Sequence, residues 1–525
     1  MDRGRWSRIG AAMGPGGLGA LAVAGFLGLP VAAAPDFPLD DAWIHLDYAR
    51  GLIREGTFSY NPGEPEAGFS SPLWVLAETP VLAVCDALGV SPVMPVKALS
   101  LAFGVLAAWA LARWVGALGG GPLARGAAGW LLWSSPAWTF ASLSGMEATL
   151  FATLILLALD RTTRCPGWGA GVLWALALWA RPEAVVPGAL ALGWALWRHP
   201  RGPTLRMLLP PVAAGLVWAA WCLGVSGHPF PNTYAVKAFS GGGIGDSVAH
   251  LRRVFLAGEG PFRTALVALT ALWGLRSVVR EPARREPALV PMLAVLVSLG
   301  VVMDTHPLSP AVRFFHTRYL LPFLVPLLAF GALGAEDLAR RLRSPGARWG
   351  LTAALALGVL AASWTGWRDQ RQSYRGHCRE VREAHTLPAL AVKAMLPAGA
   401  TVATEAAGSL RFHLPPDRQV LDLLGLNDHR IAWSAGDPEA RSCYILGRRP
   451  DLLLIPESWR DRLDPGFDQQ EVARWETGVW TSGDGTGIRR VVLFRATPRP
   501  QAWEYCRQRY GGSGAIGPAG PGEAR

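Results

Sequence analysis

The chain has 525 residues, of which 51% are hydrophobic and 17% are charged, and its mean hydropathy is +0.24. This composition is too apolar for an ordinary water-soluble enzyme and indicates that much of the chain lies in a bilayer. The net charge of +11 gives little support to a nucleic-acid partner, because the arginines lie largely in short clusters between apolar runs. The six cysteines have no Cys-x-x-Cys or Cys/His spacing, which argues against structural zinc and redox chemistry.

The first apolar run covers residues 17–34, follows Arg3, Arg5 and Arg8, and ends in Ala-Ala-Ala-Pro. A cleaved signal peptide has this order of features, but its apolar part is usually only about 7 to 15 residues long. We therefore predict an uncleaved spanning helix with the N-terminus in the cytoplasm. Further apolar runs bring the expected number of transmembrane helices to about 11, several of them shorter than the ~20 residues of a full crossing: 95–117, 124–141, 146–160, 168–181, 184–198, 206–225, 261–275, 287–303, 319–335 and 349–366.

Arginine clusters set the orientation of these runs. With the N-terminus inside, four clusters become cytoplasmic, as the positive-inside rule requires: 161–164, 198–206, 276–285 and 340–348. The alternation of cytoplasmic and outward loops agrees with these clusters only if residues 72–90 do not cross the membrane. Glu78 and Asp86 lie within about 80° of each other around a helix, which favours a segment that lies in the interface or re-enters. The stretches then placed outside the cytoplasm are 35–94, 142–145, the turn at Arg181, 226–260 and 304–318.

The composition changes after about Trp364, where charge rises and the apolar runs shorten. We predict a polytopic α-helical membrane domain over 1–366, with its first outward loop at 35–94, a soluble extracytoplasmic α/β domain over 367–510 and a disordered tail over 511–525. Buried strands are expected at 401–403, 419–424, 451–455 and 490–494. An oxidising compartment would allow one disulfide among Cys378, Cys443 and Cys506, and the sequence does not choose the pair.

Two adjacent carboxylates, Asp40 and Asp41, lie just beyond the first apolar run and open a short helix that closes at Gly56. An Asp before the first turn of a helix caps its N–H groups, which explains one carboxylate well and the second less well. Desolvation and mutual repulsion would raise one of the two pKa values, which suits a proton acceptor. Both interpretations stay open, with Asp40 the better placed to cap a helix that begins at Ala42.

A series of short motifs continues from this pair. The first loop carries Tyr48-Ala49-Arg50, Asn61-Pro62-Gly63-Glu64 and Glu66-Ala67-Gly68-Phe69. Later motifs, in chain order, are Ser144-Gly145-Met146-Glu147, Ala180-Arg181-Pro182-Glu183, Pro231-Asn232-Thr233-Tyr234 with Lys237, Arg318-Tyr319-Leu320-Leu321-Pro322 and Asp422-Leu423-Leu424-Gly425-Leu426-Asn427-Asp428. In this order they resemble bacterial GT-C membrane glycosyltransferases, especially those similar to the mycobacterial terminal β-(1,2) arabinofuranosyltransferase. Phe69-Ser70-Ser71-Pro72 departs from the aromatic-Thr-Asn-aromatic run that is commoner in that group.

The resemblance implies an inverting enzyme of the bacterial plasma membrane. It takes a sugar from a polyprenyl-phosphate donor and passes it to a glycan, lipid or protein acceptor on the outer face, with a first-loop Asp as general base. Asp41 is the favoured base and Asp40 the alternative. Candidate ligands of the donor phosphate and substrate are Arg318 first, then Arg181, Lys237, Arg313, Tyr319, Glu147, Glu183, His45, Asn232 and Tyr234. Candidate residues on the acceptor side are Asp422, Asn427 and Asp428.

Structural roles compete with each of these assignments. Glu147 and Glu183 lie where a helix dipole favours acidic side chains, and Arg181 can simply pair with Glu183. Lys237 and Arg313 can contact lipid head groups at the interface. His45, like His316, suits a packed amphipathic position, and the three residues on the acceptor side suit caps of a turn and a helix.

The sequence leaves the metal dependence and the class of function partly open. Paired carboxylates attract hard divalent cations, but no second ligand cluster is apparent and no cofactor is assigned. The glycine runs at 119–121 and 241–243 lack the Lys-Ser/Thr ending of a P-loop, which disfavours direct use of a nucleotide. A flippase or transporter of lipid-linked saccharides and a non-catalytic scaffold for envelope assembly are the alternatives, although no repeat is evident and the polar motifs gather on one face.

Overall fold

The computed structural model describes residues 36–238, 244–305, 313–434, 436–463, 465–479 and 487–510. The spanning helix predicted at 17–34 and the tail predicted at 511–525 lie outside these ranges. The described chain is mostly helical. In chain order the α-helices are α1 Asp41–Glu55, α2 Pro72–Leu88, α3 Val93–Ala117, α4 Pro122–Trp133, α5 Pro136–Ser142, α6 Ala148–Arg164, α7 Trp168–Ala180, α8 Val185–Arg198, α9 Arg201–Ser226, α10 Asn232–Ala238, α11 Ile244–Arg253, α12 Pro261–Arg280, α13 Pro282–Thr305, α14 Arg313–Leu324, α15 Leu328–Arg340, α16 Pro345–Val381, α17 Leu387–Met395, α18 Ala407–His413, α19 His429–Trp433, α20 Pro438–Gly447, α21 Arg460–Leu463 and α22 Pro500–Tyr510.

Several helical segments are long and apolar enough to cross a membrane. Within the described residues five qualify, and two shorter apolar helices, Trp168–Ala180 and Pro291–Asp304, accompany them. This confirms a membrane protein built on helices, whereas the number of about 11 crossings stays a prediction. The five segments are Val93–Ala117, Arg201–Ser226, Pro261–Arg280, Thr317–Arg340 and Pro345–Met395.

The run predicted as one helix over 124–141 is instead two helices, α4 and α5. Pro136 occupies the first turn of α5, where its missing N–H does no harm, and the side chain of Ser135 accepts the N–H of Trp138 at 3.1 Å. The apolar run is continuous in hydropathy, but a capping serine followed by proline starts a new helix.

The chain divides into two compact units, and the first contains the described residues of 93–216 and 244–375. Helices α12 and α15 approach very closely there. A Cβ added at Gly274 would lie 1.9 Å from the carbonyl oxygen of Phe330, and one at Gly334 would lie 2.0 Å from that of Thr270. Small residues permit this kind of backbone contact between membrane helices, where dispersion contacts replace the hydrophobic effect as the driving force.

The second unit contains the described residues of 36–92, 217–238 and 376–510, and it holds a five-stranded mixed sheet. The strands are β3 Thr401–Thr404, β4 Gln419–Asp422, β5 Leu452–Pro456, β6 Phe467–Val479 and β7 Gly487–Pro498, in the spatial order β4-β3-β5-β7-β6. β4, β3 and β5 run parallel, and β7 is antiparallel to β5 and β6.

Four of these strands coincide with the predicted runs, and β6 was missed. β6 is an edge strand with the sequence Phe-Asp-Gln-Gln-Glu-Val-Ala-Arg-Trp-Glu-Thr-Gly-Val, so it has no continuous apolar run. Charged side chains on an edge strand discourage pairing with other chains, but they also remove the apolar signal by which a strand is predicted.

The first loop belongs to the same compact unit as the sheet. After α1 it forms a hairpin of β1 Ser59–Asn61 and β2 Glu64–Pro65, with Gly63 in a left-handed conformation at φ 78°.

The segment predicted to lie in the interface is α2. Its two carboxylates differ in exposure: Glu78 is fully buried, whereas the side chain of Asp86 is 43% exposed and lies 3.7 Å from Arg50.

Cys443 and Cys506 form a disulfide between α20 and α22, which settles the pairing that the sequence left open. Closing a loop over a separation of 63 residues stabilises the folded state by about 4 kcal/mol in the chain-entropy account.

We expect Cys443→Ser to lower the denaturant midpoint of the unit that holds the sheet, and dithiothreitol to do the same to the wild-type chain. Cys165→Ser, at an exposed cysteine outside the bond, is the matched control and should leave the midpoint unchanged. Equal midpoints for all three proteins would contradict a stabilising bond.

Candidate functional site

Asp40 directly precedes α1, but its side chain does not cap that helix. Its two carboxylate oxygens instead accept the backbone N–H groups of Gly408 and Ser409, both at 2.9 Å. These N–H groups open α18, where a carboxylate satisfies donors that have no partner within the helix. The expectation that Asp40 caps its own helix was therefore wrong: the carboxylate caps a helix that lies 368 residues further along the chain.

Glycine is required where α18 meets Asp40. A Cβ at Gly408 would lie 2.3 Å from the carbonyl oxygen of Asp40 and 3.0 Å from its Oδ2. Burial at this contact raises the pKa of Asp40 to about 7, against the two N–H bonds that lower it, and the neighbouring charge of Asp41 adds to the rise. Asp40 therefore titrates near neutral pH.

A buried hydrogen-bond chain fixes the start of α1. Asp36 accepts the indole N–H of Trp43 at 2.9 Å through Oδ1 and the hydroxyl of Thr386 at 2.6 Å through Oδ2. The Thr386 hydroxyl lies 2.9 Å from that of Ser409, the residue whose N–H binds Asp40. This chain orients the backbone that carries Asp41, and the sequence offered no signal for it, because Thr386 and Ser409 lie in no recognisable motif.

Asp47 is a third carboxylate on α1 and is only 5% exposed. Burial raises its pKa well above the ordinary value, against the lowering effect of Arg411 and Arg50. Seven residues separate it from Asp40, so both lie near one face of the helix. No sequence motif indicated a role for this residue.

Glu66, quoted in the first-loop motif, binds residues from two distant segments. Its Oε2 lies 2.8 Å from His429 Nδ1 and accepts the His429 backbone N–H at 3.2 Å, while its Oε1 accepts Asn232 Nδ2 at 3.0 Å. These bonds hold the pKa of Glu66 below its ordinary value although burial opposes them, and the bond from Glu66 raises the pKa of His429. Asn232 lies in this polar cluster as a partner of Glu66, and its role as a substrate ligand stays a prediction.

His429 belongs to this cluster, and no sequence motif predicted its role. Its side chain is 35% exposed, and Nδ1 faces the buried carboxylate of Glu66. A hydrogen bond at one ring nitrogen fixes the orientation of an imidazole and leaves the other nitrogen for chemistry or binding. The signal was present, since His429 directly follows the predicted motif that ends at Asp428.

The three residues predicted on the acceptor side hold the loop that follows β4. Asp422 accepts the N–H of Leu424 at 2.9 Å and the N–H of Asn427 at 2.8 Å, and burial raises its pKa to about 6. Asp428 caps α19 by accepting the Ile431 N–H at 3.1 Å. The capping roles that the sequence left open therefore apply to both carboxylates.

Tyr48 connects this loop to the first loop. Its hydroxyl lies 3.0 Å from Asn427 Oδ1 and accepts the N–H of Gly68 at 3.0 Å. A Cβ at Gly68 would lie 2.3 Å from the Tyr48 hydroxyl, so the Glu-x-Gly motif needs its glycine at this contact. The first-loop motif and the Asn427 motif therefore form one structure.

A second cluster lies in the first compact unit and brings together five predicted site residues. Arg181 is 2% exposed; its Nη1 binds Glu147 and its Nη2 binds Glu183 Oε1 at 2.6 Å. Its guanidinium carbon lies 4.5 Å from the ring centroid of Tyr319, and the guanidinium of Arg318 donates to the Tyr319 hydroxyl at 3.0 Å. The expected pairing of Arg181 with Glu183 is confirmed, with Glu147 as a further partner.

The remaining candidates occupy varied positions. His45 is buried in α1, which agrees with packing, whereas Tyr234 is 54% exposed and its ring stacks on Phe230 at 4.9 Å. The side chains of Lys237 and Arg313 lie outside the part of the chain whose side chains the structure describes. Among the described residues, no group of three or more His, Cys, Asp or Glu side chains is arranged to hold a metal ion.

Residues 370–504 match a family profile described as Domain of unknown function (DUF8728). No curated protein matches the chain by sequence. Its fold is similar to that of ArnT from Cupriavidus metallidurans in the apo state, with a TM-score of 0.55 and 16% identity over 91% of this chain and 97% of that one. The same protein bound to undecaprenyl phosphate gives a TM-score of 0.56 and 16% identity over 94% and 98%.

The arabinofuranosyltransferase AftD from Mycobacteria is also similar, with a TM-score of 0.48 and 18% identity over 92% of this chain and 40% of that one. The likeness to ArnT establishes the fold, and the expectation of a GT-C fold is confirmed. Fold alone does not fix the chemistry, which depends on the side chains at the site.

Proposed function

We propose that this chain, which has the GT-C fold, is an inverting glycosyltransferase of the bacterial plasma membrane. It moves a sugar from a polyprenyl-phosphate donor to an envelope glycan, lipid or protein acceptor on the extracytoplasmic face, where the unit with the sheet lies. The observation that carries the proposal is the carboxylate pair at the start of α1, one member of which is held by two backbone N–H groups of α18. The undecaprenyl phosphate bound to ArnT supports a polyprenyl-phosphate donor.

Asp41 is the general base of this proposal. Both oxygens of Asp40 accept backbone N–H groups, those of Gly408 and Ser409. We therefore assign Asp40 the anchoring role and Asp41 the role of the base. Asp41 removes the proton of an acceptor hydroxyl as that oxygen attacks the anomeric carbon. The bond from the anomeric carbon to the phosphate oxygen breaks, and the polyprenyl phosphate leaves with the bonding electron pair.

The donor phosphate needs cationic partners, and Arg318 is the first we assign, followed by Lys237 and Arg313. Arg181 has a different part, because its guanidinium already binds Glu147 and Glu183. It holds the ring of Tyr319 and thereby orients Arg318, whose guanidinium donates to the Tyr319 hydroxyl. A fixed guanidinium in a desolvated site stabilises the leaving phosphate more strongly than a mobile one in water.

The acceptor is recognised beside the loop after β4. Asp422, Asn427 and Asp428 act there by fixing the loop, since their side chains serve its turn and helix cap. His429 presents the outward nitrogen of its ring to the acceptor, and Glu66 orients that ring. Tyr234, exposed on α10, offers an aromatic surface to the same substrate.

Turnover by the purified full chain tests the proposal. The protein is reconstituted into liposomes with radiolabelled decaprenyl-phosphate arabinose or undecaprenyl-phosphate sugars, together with octyl glycoside acceptors. We expect release of polyprenyl phosphate and a labelled, extended glycoside. Movement of labelled donor between leaflets without bond cleavage would establish a flippase instead, and neither movement nor cleavage with any donor would favour a scaffold.

The Glu66–His429 pair makes the structure sensitive to pH. The pKa of His429 lies above its ordinary value of 6.5, so its stabilisation is complete below 6.5 and is lost as pH rises through the raised pKa. The pKa of Glu66 lies below 4.5, so its stabilisation is present above 4.5 and is lost as pH falls through the lowered pKa. We expect Glu66→Gln to lower the pKa of His429 and to flatten the dependence of unfolding free energy on pH above 6.5.

Imidazole NMR of His-labelled protein measures the pKa of His429, with His429→Asn to assign its resonance. Glu64→Gln is the control, because Glu64 is exposed and lies two residues away in the same loop. An unchanged pKa of His429 in Glu66→Gln would show that the pair does not form.

A further inference from the structure

A cavity of about 390 Å³ lies in the first compact unit, and none of its lining residues belongs to the two clusters described above. Three arginines line it, each from the end of a helix: Arg113 from the last turns of α3, Arg125 from the first turn of α4, and Arg164 from the end of α6. Trp109, Ala112 and Gly116 complete its wall. Three guanidinium groups around one cavity concentrate positive charge where apolar helices end.

One carboxylate partly offsets that charge. Asp160 is 2% exposed and accepts Arg113 Nε at 2.8 Å through Oδ2 and Arg164 Nε at 2.7 Å through Oδ1. Both arginines use Nε for this bond, and about 44% of each side chain remains exposed. The guanidinium of Arg125 has no carboxylate partner among the described residues. Three cations against one anion leave two positive charges at the cavity.

We propose that this cavity binds the phosphate group of an anionic phospholipid. α3 is one of the segments long and apolar enough to cross the membrane, and Arg113 lies near its end, so the cavity opens at the level of the head groups. Trp109 is 47% exposed, and the guanidinium of Arg113 lies 5.8 Å from its ring centroid, as suits an indole at the membrane interface.

Charge and geometry favour a lipid over a free ion. Arginine donates two parallel hydrogen bonds to a phosphate, and a cavity with two excess positive charges accommodates one phosphodiester anion. The exposed ring of Trp109 offers an apolar contact for the glycerol and upper acyl chain of a lipid. The predicted topology places the loop after α3 and the end of α6 in the cytoplasm, so the lipid belongs to the inner leaflet. The inference is independent of the proposed transferase activity.

Native mass spectrometry of the delipidated full chain tests this site. The protein is incubated with equal amounts of phosphatidylglycerol and phosphatidylcholine, and the retained lipid is counted. We expect preferential retention of one phosphatidylglycerol, with roughly fivefold weaker binding in Arg125→Gln, because each arginine near the surface contributes on the order of 1 kcal/mol. Arg161→Gln is the control, because Arg161 is an exposed arginine at the same end of α6 that does not line the cavity.

A second variant tests the charge of the cavity wall, and a competing ion tests whether the ligand is a lipid. Ala112→Glu adds a negative charge to the wall and should abolish the preference for phosphatidylglycerol, while size-exclusion profiles confirm that both variants stay folded. Equal retention of the two lipids, or equal losses in Arg125→Gln and Arg161→Gln, would overturn the proposal. Displacement of phosphatidylglycerol by millimolar inorganic phosphate would identify a site for the free ion instead.

Discussion

Replacing Asp41 with asparagine is expected to lower the rate of sugar transfer by roughly 10²- to 10⁴-fold, the usual contribution of a positioned general base. An amide cannot take the acceptor proton at neutral pH, but it keeps the size of the side chain. The loss should therefore appear in kcat, with little change in the KM of either substrate. Initial rates with a polyprenyl-phosphate sugar and an octyl glycoside measure both constants.

Asp40→Asn should also lower the rate of transfer, but for a different reason. Its amide cannot accept both N–H groups of Gly408 and Ser409, so we expect the free energy of unfolding to fall by about 1 kcal/mol, as for a lost helix cap. Asp86→Asn, at an exposed carboxylate in the same compact unit, is the control for both. Full activity in both single variants would exclude a base at this pair.

Gly408→Ala is expected to reduce transfer at least tenfold, because its Cβ would lie 2.3 Å from the carbonyl oxygen of Asp40. The contact is with backbone, so no side-chain rotation relieves it, and either α18 or the start of α1 must move. Catalytic groups displaced by about 1 Å commonly lose 10²-fold in rate. This variant changes no charged group and removes no hydrogen-bonding side chain.

Gly436→Ala is the matched control for this substitution. A Cβ at Gly436 meets nothing within 4 Å, so the rate and the melting temperature should stay at wild-type values. Overpacking at Gly408 should also lower the melting temperature. A fully active Gly408→Ala protein would show that the anchoring of Asp40 on α18 does not position the reacting groups.

The sequence predicted the positions of most strands and helices, but not which of them pack against each other. Alternating and continuous apolar runs predicted β3, β4, β5 and β7, because side-chain burial leaves a local pattern. The edge strand β6 has no such pattern, and the break between α4 and α5 depends on two residues, Ser135 and Pro136, inside one apolar run. The signal for the break was local but weaker than the continuous hydropathy around it, whereas β6 carried no apolar signal.

In the candidate site, too, motifs predicted some residues, and only tertiary contacts revealed others. The motifs named Arg181, Glu183 and Glu147, and these meet in one cluster. By contrast, no motif predicted a role for His429, although it directly follows the motif that ends at Asp428. The pKa and the orientation of a histidine ring depend on the group that faces it. For His429 that group is Glu66, which lies 363 residues away in the sequence.

The sequence by itself determined that the chain is a helical membrane protein with a carboxylate pair after its first apolar run, because hydropathy and short motifs are properties of neighbouring residues. Only the tertiary structure decided what Asp40 does, since a carboxylate beside one helix can cap another, and α18 lies 368 residues away. It also chose Cys443 and Cys506 as the disulfide pair and gave His429 its orientation. Such pairings depend on which segments pack together, and packing is the sum of many contacts that no local pattern records.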